Sequence, residues 1–108
     1  PEKKDFINRL RSFTEMVNKS STLIILIDLS ELDILHGNEV KALIEIKKQM
    51  KAQGIEIGII AEGANSRRIV NIFDSIKPVE EFNLFKSELD AVLWLFQSKD
   101  SFHKIIKM

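Results

Sequence analysis

The sequence predicts one α/β domain in which a small, mostly parallel sheet is flanked by helices. Short apolar runs of strand length alternate with amphipathic stretches of helical spacing, and the alternation continues along most of the chain. The length, 108 residues, is that of one domain. Because parallel neighbours must be joined by crossovers, the helices are expected to cover the sheet through right-handed connections.

The first two predicted elements are a helix and a central strand. Residues 2–18 predict an amphipathic helix, in which Phe6, Leu10, Phe13 and Val17 recur on one face. Residues 23–29, "LIILIDL", are apolar on both faces, which is typical of a strand covered by helices on both sides. A polar loop over residues 30–37 follows.

Two further helices and a strand are predicted next. A helix over residues 38–53 begins at Asn38 as N-cap and stops at Gly54. Its inward positions are Val40, Leu43, Ile44 and Met50, and its solvent-facing positions are Lys41, Glu45, Lys48 and Lys51. Residues 55–60, "IEIGII", predict a second strand. After a turn at residues 63–65, another helix runs to about residue 76 and is ended by Pro78.

The last predicted unit is a short strand over residues 82–85 and a helix capped by Ser87, with Asp90 completing a capping box. Trp94 is expected to be partly exposed, or buried against the first helix. A stripe of apolar residues predicts core: Phe82, Leu84, Leu89, Leu93 and Phe96.

Three predicted strands make a small sheet, and at least one of its edges is expected to need a partner. The partner is either a missing strand or another chain. Residues 98–108 are interpreted as a C-terminal extension that packs on the sheet edge, dimerises or touches a membrane surface, with packing or dimerisation expected.

Composition excludes several classes of function. Sixteen basic residues balance sixteen acidic ones, whereas a nucleic-acid binder usually carries a basic excess. No apolar run approaches the roughly 20 residues of a transmembrane helix. Cysteine is absent, which excludes disulfides, thiolate catalysis and zinc–thiolate sites. The cytoplasm is the simplest expected location.

Three motifs carry a resemblance to a known family: Asp28, Leu29 and Ser30 at the end of the first strand, "SRRIV" at residues 66–70, and "FKSELDA" at residues 85–91. On these motifs, residues 23–95 resemble the STAS domains, named after sulfate transporters and anti-sigma-factor antagonists. The resemblance implies a single STAS-like domain over residues 1–108, and a non-enzymatic protein-interaction role in a bacterial regulatory system. Since the family usually begins with two strands before its first helix, the chain is expected to lack those strands.

In that family Asp-Ser-Ser-Gly often stands eight residues after the Asp and opens a helix, and the Ser of this loop is phosphorylated by a partner anti-sigma kinase. Here the corresponding residues 36–39 read "HGNE" and offer no hydroxyl. The resemblance therefore implies a docking loop that is not switched at the usual place, with control elsewhere, for instance through Ser30 or Ser66. The partner would be an anti-sigma-factor-like or kinase-like protein, or another STAS protein. The expected partner-binding residues are Asp33, His36, Gly37, Asn38, Glu39, Lys41, Glu45 and Lys48.

Other interpretations of that loop stay open. It is also a simple β–α turn, with Gly37 supplying backbone freedom and Asn38 the cap. His36 could be a general base or a metal ligand, but it lies far from His103 and matches no metal spacing. With no paired nucleophile to form a triad, we expect no enzyme, no metal and no cofactor.

A second candidate site is the stretch "GANSRR" at residues 63–68. A strand, a glycine turn and a helix N-terminus present backbone N–H groups that suit an anion, although a bare helix cap explains the same pattern. The alternative function is therefore a nucleotide-binding or lipid-binding module of the SpoIIAA-like kind, which shares its fold with lipid-binding domains. Its candidate residues are Gly63, Asn65, Ser66, Arg67 and Arg68.

Overall fold

The computed structural model describes residues 6–12, 24–97 and 103–107. Residues 6–12 are helical and are called α1; the rest of the predicted first helix lies outside the described residues. The remaining elements are β1 (Ile24–Asp28), α2 (Gly37–Ala52), β2 (Glu56–Ile60), α3 (Ser66–Ile76), β3 (Asn83–Phe85), α4 (Glu88–Phe96) and β4 (His103–Lys107). A parallel sheet flanked by helices confirms the predicted α/β class.

The four strands lie in the order β3-β2-β1-β4, and every neighbouring pair is parallel. β1 is central: its Leu26 is aligned with Gly58 of β2 on one side and with Ile105 of β4 on the other. Residues Ile24 to Ile27 are all buried, as the two-sided apolar pattern of this strand predicted.

β4 comes from the C-terminal tail. The sequence left the structure of this segment open, and residues 103–107 pair with the edge of β1 that β2 does not use. The expectation that one sheet edge needs a partner is thus met by the chain itself. Residues 98–102 and 108 lie outside the described residues.

The strand order reverses between β3 and β4. β1, β2 and β3 follow one another in one direction across the sheet, and β4 then returns to the far side of β1. A right-handed crossover that changes direction must place its helix on the opposite face. In agreement, α2 and α3 pack on one face of the sheet, and α4 packs on the other.

The first face carries the larger core. Ile25 and Ile27 of β1 and their neighbours Ile57 and Ile59 of β2 point into it. The helices α1, α2 and α3 supply the buried residues opposite them: Phe6, Leu10, Val40, Leu43, Ile46, Met50, Ile69 and Phe73. The inward face predicted for α2 is confirmed, with Ile44 half-buried.

The second face carries a smaller core under α4 alone. Ala91 and Leu95 of α4 are buried against Ile24, Leu26 and Ile60 of the sheet. Trp94 is half-buried there, and its ring centroid lies 5.1 Å from that of Phe85. Partial burial of Trp94 was expected, but it packs on β3 and not on the first helix, whose described residues lie on the other face.

The predicted core stripe is wrong for α4. Leu89, Leu93 and Phe96 are 67%, 51% and 79% exposed, whereas Phe82 is buried and Leu84 is half-buried. The cause is that α4 is apolar on more than one side, so helical spacing alone fits either side. The side that packs on the sheet is the one with the small residue Ala91, which lets the helix approach closely.

The helix ends agree with the sequence except at the start of α2. Ser87 caps α4 by accepting a hydrogen bond from the Asp90 N–H at 3.1 Å. Gly54, with φ of +78°, follows the end of α2 as predicted. The predicted cap at Asn38 is wrong, because α2 begins at Gly37 and its N-cap is His36.

Candidate docking surface and strand-end crevice

The loops that leave the carboxyl ends of β1, β2 and β3 are joined by hydrogen bonds. The Glu62 N–H donates to Ser30 Oγ at 2.8 Å, which links the loop after β1 to the loop after β2. The Glu88 N–H donates to Glu62 Oε2 at 3.0 Å, which links the loop after β2 to the first turn of α4. This edge of the sheet is therefore one connected surface.

Asp28 shapes the start of the first loop. Its Oδ1 accepts a hydrogen bond from the Ser30 N–H at 2.9 Å, and the carboxylate thereby turns the chain directly after β1. Asp28 thus orients the loop after β1 through its side chain.

The loop at Asp33 is held by the beginning of α3. Arg68 Nη1 donates to the Asp33 carbonyl oxygen at 2.6 Å, and Asn65 Nδ2 lies 3.5 Å from Asp33 Oδ1. The two sequence candidates, the loop over residues 33–39 and the stretch over residues 63–68, are therefore direct neighbours. Sequence reasoning treated them as separate sites.

Glu39 lies inside the molecule and not on the expected docking surface. It is 4% exposed, and its Oε1 accepts a hydrogen bond from the His36 N–H at 2.7 Å. The carboxylate also sits in the first turn of α2, where negative charge is stabilised by the helix dipole. Glu39 therefore fixes the loop through this hydrogen bond, and its burial makes it unavailable for contact with a partner.

The other expected docking residues are all exposed: Asp33, His36, Gly37, Asn38, Lys41, Glu45 and Lys48. We call these seven residues the docking surface. Lys41, Glu45 and Lys48 follow one another at helical spacing on the outer side of α2, so they continue the loop as one stripe. The stripe alternates in charge, which suits contact with polar groups of either sign.

The anion candidate is arranged less favourably than the sequence suggested. Gly63 makes the turn with φ of +89°, and the Ser66 N–H donates back to the Gly63 carbonyl oxygen at 3.2 Å. Arg68 is partly committed to the Asp33 carbonyl. Arg67 is exposed at the first turn of α3, and it is the cation best placed to meet an anion there.

A crevice of about 230 Å³ opens at the carboxyl ends of β1 and β4, where the strand order reverses. Open α/β sheets bind ligands at this position, because the loops on either side leave in opposite directions. Its lining is mainly acidic and consists of Asp28, Ser30, Glu31, Glu62, Gly63, Glu88 and Lys107.

Sequence reasoning missed this crevice because it did not assign β4, and only the pairing of β4 with β1 brings Lys107 beside Asp28. The one available signal was the pair Ile105–Ile106 between lysines, which is too short to distinguish a strand from other structures.

The described residues contain neither a group of side chains that could hold a metal ion nor a helix that could cross a membrane. Among residues 6–12, 24–97 and 103–107, no three or more His, Asp or Glu side chains are grouped so that they could hold a metal ion. In the same part of the chain, no helix has the length and apolar character needed to cross a membrane.

Comparison with known proteins returned no match: no protein-family model, no curated protein and no solved structure is similar to this chain at a significant level. The resemblance to STAS domains therefore rests on the motifs at residues 28–30, 66–70 and 85–91, and the function is inferred from the geometry described above.

Proposed function

We propose that this chain is a non-enzymatic, STAS-like protein-interaction domain of a bacterial regulatory system, comparable to an anti-sigma-factor antagonist and working in the cytoplasm. The observation that supports it is the docking surface itself. Seven of the eight residues expected to bind a partner form an exposed loop and a helical stripe that continue into each other. Loops at the carboxyl ends of parallel strands are where such sheets commonly bind.

The docking surface is held in place before any partner arrives. Arg68 donates a hydrogen bond to the Asp33 carbonyl oxygen, and Glu39 accepts one from the His36 N–H, so the loop is held at both positions. A surface that is already ordered loses little conformational entropy on binding. The hydrogen bonds at Asp33 and His36 therefore lower the entropy cost that the loop would otherwise add to binding.

The charge pattern indicates a polar protein partner. Lys41, Glu45 and Lys48 present positive, negative and positive charge in turn along α2. Such patterns contribute to specificity and to the rate of encounter more than to affinity, because misaligned partners bring like charges together.

Control by phosphorylation fits Ser66 better than Ser30. The Ser30 hydroxyl accepts the Glu62 N–H and lies in the crevice among the carboxylates of Asp28, Glu31 and Glu62. A phosphate there would add about −2 charge next to acidic groups. Ser66 is the first residue of α3 and is followed by Arg67 and Arg68, so a phosphate there would meet positive charge and a helix N-terminus.

Capture with charge-reversed variants tests the docking surface. Immobilised wild-type protein and the double variant Lys41→Glu/Lys48→Glu are compared in extracts of the source cells by quantitative mass spectrometry. The matched control is Lys77→Glu/Lys86→Glu, which makes the same charge change at two exposed positions outside α2.

We expect at least one protein to be retained by wild type and by Lys77→Glu/Lys86→Glu and lost on Lys41→Glu/Lys48→Glu. Equal retention of every captured protein by Lys41→Glu/Lys48→Glu would rule out this surface as the docking site.

The crevice favours a second candidate function, a small-ligand module. Its location at the reversal of strand order supports ligand binding, but four carboxylates against one lysine favour a positively charged molecule over a nucleotide. Thermal unfolding with a polyamine and, separately, with ATP distinguishes binding of a positively charged molecule from binding of a nucleotide. A ligand at 100 times its Kd stabilises the fold by about 2.7 kcal/mol, and the absence of a shift with both ligands would remove this candidate.

A further inference from the structure

The outer side of α4 carries an apolar stripe that the sheet does not use. Leu89, Leu93 and Phe96 are 67%, 51% and 79% exposed. Their spacing, four residues and then three, is that of the contact positions of a two-helix coiled coil. Ala91 and Leu95, on the other side of the same helix, are buried against the sheet, so the stripe faces away from the molecule.

We infer that the chain self-associates through α4, which packs antiparallel against α4 of a second copy with the two-fold axis passing at Leu93. The interface is isologous, and each copy contributes the same stripe to it. The inference goes beyond the proposed function and does not depend on it.

The stripe is complementary to itself in this orientation. Leu89 lies four residues before Leu93, and Phe96 lies three residues after it. In an antiparallel pair centred on Leu93, the Leu93 side chains meet at the axis, and each Leu89 meets the Phe96 of the other copy. Each contact thus joins two apolar side chains that are exposed in the single chain.

The polar neighbours of the stripe also match. Asp90 and Gln97 are seven residues apart and lie on the same flank of the stripe. In the antiparallel pair, the Gln97 amide of one copy lies beside the Asp90 carboxylate of the other, where it can donate a hydrogen bond. The arrangement repeats at the other end of the contact because of the two-fold axis.

Charge selects the antiparallel orientation and disfavours a membrane. Glu88 and Asp90 place two negative charges in the first turn of α4. A parallel pair would bring the two acidic turns together, whereas an antiparallel pair keeps them at opposite ends and aligns the helix dipoles favourably. The same acidic turn repels the negatively charged lipids that attract amphipathic helices.

The exposed area indicates a weak, concentration-dependent dimer. From their exposed fractions, the three side chains offer roughly 400 Å², which is the size of the largest apolar patch on a typical monomer, a patch that is often functional. A stable complex buries about 800 Å² per partner. The contact through α4 is about half of that, which is the size of weak, transient interfaces. We expect a dissociation constant between about 1 μM and 1 mM.

Dimerisation through α4 leaves the docking surface outside. α2 covers the first face of the sheet, and α4 covers the second. A dimer of this kind would present two docking surfaces, and its failure would leave the proposed docking role intact. Likewise, loss of partner capture in the α2 variants would not alter the self-association.

Sedimentation velocity over a concentration series tests the association. We expect the weight-average mass of the wild type to rise from 12.4 kDa towards twice that value, while Leu93→Glu remains a monomer, because two carboxylates would meet at the axis. Val79→Glu is the matched control: Val79 is 64% exposed and lies outside α4, so its dimerisation should equal that of the wild type.

A wild type that remains monomeric up to roughly 1 mM, the upper end of the expected dissociation constant, would overturn the inference. Equal dimerisation of Leu93→Glu and wild type would also overturn it.

Cysteine crosslinking tests the orientation. The chain has no cysteine, so an introduced thiol is the only one present. Under mild oxidation, Leu93→Cys should form a covalent dimer faster than Val79→Cys. A mixture of Leu89→Cys and Phe96→Cys chains should give mainly the mixed dimer, because these positions meet only across the antiparallel contact. Preferential Leu89→Cys self-dimers would show a parallel pair and contradict the inference, as would equal rates for Leu93→Cys and Val79→Cys.

Discussion

Gly58 is a single residue on which the packing of the second sheet face depends. A Cβ atom built there would lie 2.8 Å from Leu26 Cδ2 and 3.2 Å from atoms of Phe85 and Trp94. The glycine therefore creates the space that the Trp94 ring occupies over β2. Its backbone does not need the left-handed conformation, so space and not chain flexibility explains the glycine.

We predict that Gly58→Ala destabilises the fold by about 1–3 kcal/mol, the usual cost of inserting a methyl group into a packed core. Urea unfolding followed by Trp94 fluorescence measures it. Gly37→Ala is the control, because nothing lies within 4 Å of a Cβ at Gly37, and its free energy of unfolding should stay within about 1 kcal/mol of the wild type. An unchanged midpoint for Gly58→Ala would contradict this account of the packing.

Glu39 has a structural role that differs from the one its sequence position predicted. It is charged and lies in the first turn of α2, yet it is buried and accepts the His36 N–H. The helix terminus that it caps begins the docking surface, so its loss affects both stability and the position of the loop.

We predict that Glu39→Ala lowers the free energy of unfolding by about 1 kcal/mol, the typical value of a lost cap. Glu39→Gln should lose less, because an amide oxygen can still accept the His36 N–H. Chemical denaturation compares both with Glu45→Ala, an exposed position on the same helix that should change stability by less than about 0.5 kcal/mol. A Glu39→Ala value as small as that of Glu45→Ala would argue against the cap.

At the scale of the element, α4 shows how one helix can be apolar on two sides with different uses. Ala91 and Leu95 attach it to the sheet, while Leu89, Leu93 and Phe96 face outward. The outward side chains are not buried against the sheet, so the packing of the single chain does not explain why they are apolar.

We predict that substitutions on the two sides of α4 lower the free energy of unfolding by very different amounts. Leu95→Ala should cost about 2–5 kcal/mol of unfolding free energy, since Leu95 is 8% exposed and its loss leaves a cavity. Leu93→Gln should cost less than about 0.5 kcal/mol when measured at dilute, monomeric concentration. Thermal and urea unfolding of both variants give the comparison, and similar losses for the two would mean that the stripe contributes to the core of the monomer.

At the scale of the whole molecule, the sheet depends on a strand that comes from the end of the chain. β4 pairs along the full length of β1, from Ile24 to Asp28. Without it, the central strand would become an edge, and its unpaired backbone groups together with apolar side chains of the second face would meet solvent or another chain.

We predict that a chain ending before His103 loses most of its stability or aggregates. Circular dichroism and light scattering compare it with the full chain under the same conditions. The substitution Ile105→Ala provides a graded version: Ile105 packs in the second core as a half-buried residue, so we expect a loss smaller than that of Leu95→Ala. A shortened chain with the unfolding midpoint of the full chain would show that β4 is dispensable.

What the sequence determined by itself are the elements that depend on local pattern. The buried β1, the inward face of α2, the Ser87 cap and the α/β class all follow from periodicity and capping chemistry within short stretches. The candidate loop was also found this way, since a polar corner after an apolar strand is a local feature. The family resemblance and the proposed docking role remain predictions.

Only the tertiary structure decided which strand pairs with which and which side of a helix is covered. The position of β4 beside β1, the crevice between Asp28 and Lys107, and the outward direction of Leu93 depend on residues far apart in the chain. Local sequence cannot fix these, because hydrophobic burial depends on apolar area and carries no direction. A helix that is apolar on two sides is oriented by the space available beneath it, and here Gly58 and Ala91 provided that space.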